Sequence, residues 1–562
     1  MPLSIDPYLS RFDISLRAFL SSPLPRPRRN GRALAHPNVK SGQYSYARGS
    51  TMRRLHRSMV AAWCALFIFT GMSPAAESID IGSRRELLVD HHLIERLDGA
   101  RLELHRPVRR EVVLRTDAAW EGNGSGYQSV FKDDDRFRIY YRGGHHPNSK
   151  AYKTSRNSWE TLCVAESRDG IHWTRPELGI VEFNGSTTNN LILDAAMVND
   201  FGGSPAHTAV FKDANPDSPP EERYKIVIVG RKPKGLYLMV SGDGLRFKLK
   251  SEKPFATEGA FDSQNLMFWD SVGGVYREYH RAFDQGGYKG VRGIMTAVSK
   301  TPTSFPKPQW LKFPSATEQA LYTNQIQPYF RAPHIFMGFP MRYNDRGWSP
   351  SMTKLPGLEE RQYRAKQHPR YGTTVTDAAF MTSRDGMTFH RWSEAFIRPG
   401  PARQDTWVYG DNFIFWGMVP TKSHIQGAPD EISLYATEGY WEGNATSFRR
   451  YTIRMDGFVS VQAPFSGGKL LTKPLKFDGS QLDMNFSTSA AGSVRVEIQD
   501  GAGKPVPGFT LADCNEQFGD QLERVVSWKT GTDVSSLSGK TVQLLFELKD
   551  ADLYAFQFTN GD

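Results

Sequence analysis

The chain has 562 residues, 39% hydrophobic and 12% aromatic, with 50 Gly, 34 Pro, 3 Cys and a formal net charge of +10. Residues 1–51 hold eight Lys/Arg against two Asp/Glu and residues 52–75 add three Arg, which leaves about +1 for everything after residue 75. The basic balance is therefore no sign of a nucleic-acid-binding face, and so few cysteines exclude a small disulfide-built domain.

Residues 1–51 are rich in Pro and Arg and show neither a helical nor a strand period. They read as an extension foreign to the protein, with translation starting at Met52. Residues 52–75 have the layout of an export signal: Arg53, Arg54 and Arg57, an apolar run over 59–72, then Ser73-Pro74-Ala75. The run is shorter than the roughly 20 apolar residues a membrane helix needs. The expectation is a secreted or periplasmic protein with no membrane contact once the signal is removed. Two cysteines then remain, Cys163 and Cys514, far apart in the chain.

A pattern recurs along residues 76–462: a short apolar strand, a Ser, a tight polar turn, and an aromatic six residues after the Ser. It appears as Ser167-Arg168-Asp169-Gly170 with Trp173, Ser241-Gly242-Asp243-Gly244 with Phe247, and Ser383-Arg384-Asp385-Gly386 with Phe389. Ser299-Lys300-Thr301-Pro302 with Phe305 is a worn copy, and Leu434-Tyr435-Ala436-Thr437-Glu438-Gly439 a weaker fifth. In an Asp-Gly turn the Gly takes positive φ and the Asp caps its own backbone, so Asp169, Asp243 and Asp385 are expected to shape turns. The strands before each turn also match: Gln128-Ser129-Val130-Phe131-Lys132-Asp133 resembles Thr208-Ala209-Val210-Phe211-Lys212-Asp213. Each unit reads as a four-stranded propeller blade, and five units of about 75 residues make five blades. A β-helix or two stacked sandwiches are the competing architectures.

Over residues 463–562 the pattern stops. Short alternating strands such as Val494-Arg495-Val496-Glu497-Ile498 and Val542-Gln543-Leu544-Leu545-Phe546 read as a separate β-sandwich. The expected fold is all-β: a five-bladed β-propeller followed by a C-terminal β-sandwich.

This array of Ser-x-Asp-Gly turns behind an export signal resembles the five-bladed propeller glycoside hydrolases, the superfamily of families 32, 43, 62, 68 and 130. Phe261-Asp262-Ser263-Gln264-Asn265 and Asp550-Ala551-Asp552-Leu553-Tyr554 are similar to a branch of secreted bacterial glycosyl-hydrolase-like proteins. The Trp-x-Asn-Asp-Pro signature of family 32 is absent, and Trp120-Glu121-Gly122-Asn123-Gly124 stands in its place. The resemblance implies an exported protein acting on a poly- or oligosaccharide through a carboxylate pair in the central pocket. A non-catalytic carbohydrate-binding propeller is the alternative, and a sialidase, built on six blades, the third.

Glycoside hydrolysis needs one carboxyl group to protonate the leaving oxygen and a second to attack or to activate water. In the enzymes this fold resembles, such carboxylates sit on one face around the axis, at starts of inner strands, in loops between second and third strands, or at starts of third strands, where alignment on the Ser turn places Asp377 and Glu431. Asp262, before the inner strand of blade 3, is the expected base or nucleophile and Glu431 the acid. Asp377 or Glu121 would tune their ionisation. Arg142, Arg281 and Arg342 close second strands on the same side, where guanidinium forks suit carboxylate or sulfate groups. His207, Gln264, Asn324 and Asp411 complete the substrate-binding candidates, with Trp120, Tyr127 and Tyr322 able to stack on sugars. No cofactor is expected. His145-His146 and the other histidines lack metal-ligand spacing, which leaves only a structural calcium or water at the axis beside His207.

Overall fold

The computed structural model describes residues 78–145, 160–314 and 316–561. The expected extension at 1–51, the export signal at 52–75 and His146 lie outside them. No helix among the described residues is long and apolar enough to cross a membrane.

Five four-stranded antiparallel sheets follow one another along the chain. Blade 1 comprises Ser129–Asp133, Arg136–Gly143, Thr161–Ser167 and Leu191–Asp194. Blade 2 has Ser204–Lys212, Tyr224–Arg231, Lys234–Ser241 and Lys248–Leu249. Blade 3 has Leu266–Asp270, Val275–Phe283, Arg292–Ser299 and Gln309–Trp310. Blade 4 has Gln327–Tyr329, Ala332–Gly338, Met381–Ser383 and His390–Arg391, and its middle strands continue as the pair Met341–Asp345 and Thr374–Ala378. Blade 5 has Val419–Thr421, Glu431–Glu438 and Ser447–Arg454, and takes its outermost strand, Val108–Arg115, from far earlier in the chain. That borrowed strand, with a parallel bridge from Trp416 to Ser129 between the inner strands of blades 5 and 1, closes the five-bladed ring.

The repeated turns act as their sequence implies. In each, the Ser hydroxyl accepts the Gly N–H, at 2.9 Å for Ser167, 3.0 Å for Ser241 and 2.9 Å for Ser383. The Asp carboxylate takes the next two backbone N–H groups at 2.7–2.9 Å, and Gly170, Gly244 and Gly386 have φ of 75°, 76° and 72°. Each Gly carbonyl then accepts a tyrosine hydroxyl from the preceding blade: Tyr435 to Gly170 at 2.6 Å, Tyr140 to Gly244 at 3.0 Å, Tyr279 to Gly386 at 2.8 Å. The turn motif is thus also the clamp that joins neighbouring blades.

One repeat differs from expectation. Leu434 to Glu438 belong to the second strand of blade 5, not the third, which is Ser447–Arg454. The weak fifth copy was aligned on apolar residues alone, and every second strand has those.

The remaining strands form a ten-stranded sheet that combines Ile79–Gly82, Glu86–Leu87, Ile94–Asp98 and Arg101–Leu104 with six strands after residue 458. Its spine is two long strands, Gln481–Asp500 and Val542–Thr559, paired along their length with a break between Thr488 and Ser493. Both halves of each strand point alternate residues (Leu482, Met484, Phe486, Val494, Val496, Ile498; Leu544, Phe546, Leu553, Phe556) into one core around Trp528. The expected boundaries, ring over 76–462 and a self-contained module over 463–562, are corrected accordingly: the ring proper spans blade strands from Val108 to Arg454, and residues 79–104 pair with the chain's end. Pairing across so long a separation leaves no local signal in the sequence. This sheet packs on blades 4 and 5, where Leu87, Val89, Phe458 and Ala555 share a core with Tyr329, Phe339 and Phe380. Arg384 bridges to Glu86 at 2.7 Å and Asp90 at 3.2 Å. Cys163 and Cys514 are buried free thiols, one in the ring and one beside the sheet.

Candidate functional site

The front face of the ring is where inner strands begin and second strands end; the tight turns between them lie on the rear face. Three residues just ahead of inner strands, Tyr127, Gln325 and Asn412, hold positive φ of 55°, 46° and 64°. Non-glycine residues reach this region at a cost and gather at functional sites. Here three blades place one each around the axis.

Gln264 closes that axis. Its amide donates to the carbonyls of Tyr127 and Gln128 at 3.0 and 3.1 Å and accepts from Gln325 Nε2 at 2.7 Å, all buried. It is a fastener of the inner strands, not the expected substrate contact. Behind it Trp416 Nε1 donates to the Ile326 carbonyl at 2.9 Å. The plug leaves a rear recess of about 450 Å³ lined by inner strands of all five blades, including Phe131, Phe211, Trp269, Pro328 and Trp416. On the front side lies an aromatic cluster of Tyr127, Tyr322, Tyr343, Tyr409, Phe413, Tyr440 and Trp441. The Tyr127 and Tyr322 hydroxyls are 2.9 Å apart. Burial pushes the Tyr322 phenol up, but Arg281 and the hydrogen bond with Tyr127 bring it below its ordinary range.

Over this cluster stand the polar groups. Asp262 is 52% exposed and ion-pairs with Arg281, whose guanidinium is buried and lies 4.8 Å above the Tyr322 ring. From blade 2, His207 Nδ1 lies 2.9 Å from Ser204 Oγ, which donates to Glu160 Oε2 at 2.8 Å. Burial, then the charges of Arg142, Arg231 and Arg281, hold the His207 pKa at about 3. The imidazole is therefore neutral at ordinary pH, and it donates from Nδ1 into a Glu160–Ser204–His207 chain. Among the described residues no group of three His, Cys, Asp or Glu could hold a metal.

The other expected site residues lie elsewhere or serve the fold. Glu121 is fully buried and bound by Arg175 through both oxygens, at 2.8 and 2.9 Å, by the Ala118 N–H at 3.0 Å and by the Tyr141 hydroxyl. Glu431 opens the second strand of blade 5, so it sits on the rear face, roughly 20–25 Å from the front at ~3.3 Å per strand residue. There it meets Arg110 and His424, each at 3.4 Å. Despite burial, its hydrogen bonds and Arg110 hold its pKa at about 2. It cannot partner Asp262. Asp377 and Arg342 form a two-pronged pair at 2.6 Å, lining a separate cavity of about 750 Å³ with Arg346, Arg398 and Trp407. Asn324 accepts the Ile326 N–H at 3.2 Å. Buried Asp411 accepts the N–H groups of Gly439 and Tyr440 at 2.8 and 3.2 Å, and burial raises its carboxyl well above the usual range. Trp120 is tied to Asn190 at 2.6 Å.

The expected front-face group is thus reduced to Asp262, Arg281, Arg142 and His207. Sequence reading missed Glu160, Arg231, Arg292 and Arg370. Arg231 had a visible signal: it ends a second strand, as Arg142 does, and Arg281 lies near the end of another.

No protein-family model matches the chain, and no curated protein matches it. Among solved structures it is similar to an N-acetylgalactosamine deacetylase from F. plautii in complex with blood group B trisaccharide, at 11% identity and TM-score 0.38, covering 63% of this chain and 96% of that one. It is similar to a GH130 glycoside hydrolase structure, from work on β-1,2 mannosidic linkages in Candida mannan, at 14% identity and TM-score 0.34, covering 63% and 94%. An endo-arabinase from Bacteroides thetaiotaomicron matches at 10% identity and TM-score 0.33, covering 62% and 98%.

Proposed function

We propose that the chain is an exported, carbohydrate-active enzyme that hydrolyses a poly- or oligosaccharide on the front face of the ring. The observation that carries this is Asp262: a half-exposed carboxylate held by a buried arginine beside an aromatic cluster, on the side of the axis that Gln264 and Gln325 close from behind. Aromatic faces suit the apolar faces of sugar rings.

Hydrolysis needs two carboxyl groups. Asp262, ion-paired with Arg281, serves as nucleophile or as the base that takes a proton from water. Glu160 replaces Glu431 as the second group, delivering a proton to the departing glycosidic oxygen, with its orientation set by the Ser204 hydroxyl. The ten-stranded sheet is read as a two-layered sandwich bent at the break in its long strands, and residues 52–75 as the export signal. Binding without hydrolysis is the second reading, favoured by the engagement of Asp262 with Arg281.

Asp262→Asn keeps shape and removes charge. Turnover on a responsive glycan should fall at least about 100-fold, the low end for losing acid–base help, with an unchanged melting temperature. Normal turnover with a lowered melting temperature would make Asp262 structural, and glycan binding with no turnover in either protein would select the non-catalytic reading.

A further inference from the structure

The front face has more cationic side chains than its own carboxylates engage. Arg142 ends the second strand of blade 1, Arg292 begins the third strand of blade 3, and Arg370 lies in the short helix Pro369–Thr373 of the blade 4 insertion. Each has a buried Nε with no hydrogen-bond partner, and none is in an ion pair among the described residues. Arg292 is instead stacked 4.0 Å over the Tyr343 ring and 5.1 Å over Phe283, whose other cation is Arg281 at 5.3 Å. Burial, then Arg281 and Arg370 nearby, lower the Arg292 pKa. A buried guanidinium without an anion is unfavourable, because desolvation is not offset by pairing. A fold that assembles several of these on one face, with Asp262 paired to Arg281 and Glu160 acting on Arg142 only from beyond ion-pair distance, presents more cations than its own anions engage.

We propose that the substrate is an acidic glycan, whose carboxylate or sulfate groups are held by the forks of Arg142 and Arg292 on the front face. This rests on that face being the glycan site. Guanidinium is suited to such a group because two parallel N–H donors match two oxygens of one anion. The stacked ring below fixes the plane of Arg292 before ligand arrives, so little freedom remains to be lost on binding.

The test is direct binding of the full protein to polygalacturonate and dextran sulfate, against methyl-esterified pectin and unsulfated dextran as neutral counterparts. Arg142→Gln, Arg292→Gln and Arg292→Lys are compared with Arg168→Gln, a control whose side chain is 81% exposed on a rear-face turn. The expected result is retention of at least one acidic polymer over its neutral counterpart. Arg142→Gln and Arg292→Gln should each weaken it about tenfold, in line with losing one charge-assisted hydrogen bond. Arg292→Lys should recover only part, Arg168→Gln should change nothing, and melting temperatures should hold. Which acidic polymer binds separates carboxylate from sulfate. Equal retention of neutral polymers, retention of neither acidic one, or equal losses in Arg168→Gln would overturn the proposal. Acidic-glycan binding without hydrolysis would leave it standing while removing the hydrolase reading, and hydrolysis of a neutral glycan alone would do the reverse.

Discussion

At the scale of single residues, His207 shows how the site shapes its own chemistry. Arg142, Arg231 and Arg281 face the ring, Tyr127 lies 5.4 Å from it, and Glu160 reaches it through Ser204. The folded-state pKa of about 3 lies below the ordinary 6.5. Between these values the unfolded chain binds the proton and the folded chain does not, so this group withdraws stability as pH falls from 6.5 toward 3. At pH 5.5 the loss approaches about 1.4 kcal/mol, one pH unit of linkage. The expected outcome is that His207→Gln loses less stability than the parent protein between pH 7.5 and 5.5 in parallel denaturant titrations. An equal or larger loss would mean that His207 protonates normally in the folded protein. His207 was legible as a candidate from its place before an inner strand. Its neutrality was not, since burial within the assembled ring, then three arginines from three blades, create it.

Secondary-structure elements were legible where one motif performs two tasks. Ser-x-Asp-Gly was read as a turn, and it is one, with Ser and Asp satisfying the same backbone N–H groups in three blades. The tyrosine clamp onto each turn was missed because its two halves lie 104 to 265 residues apart on different blades, as with Tyr435 and Gly170. Tyr279→Phe deletes the 2.8 Å bond to the Gly386 carbonyl and leaves the ring packed. It should destabilise by about 1 kcal/mol, the net worth of one hydrogen bond, with turnover per folded molecule unaltered. A loss near zero in the denaturation midpoint would show that the clamp contributes packing alone. The same dependence on alignment explains Glu431: without an Asp-Gly anchor, the fifth copy slid from third strand to second, and the residue moved to the other face of the ring.

For the molecule as a whole, the five-bladed count was legible because the repeat is local, while the borrowed strand Val108–Arg115 and the sheet shared by residues 79–104 and the chain's end were not. These distant pairings leave blades 4 and 5 backed by the ten-stranded sheet, which braces elements away from the front face where the site is proposed. Amide hydrogen exchange of the full protein, with and without a glycan it retains, tests that division most directly. Protection should concentrate at residues 204–208, 260–265 and 320–326, where three inner strands begin on the front face. Protection confined to the rear turns near 133–136 and 212–224, with the front unchanged, would contradict the account.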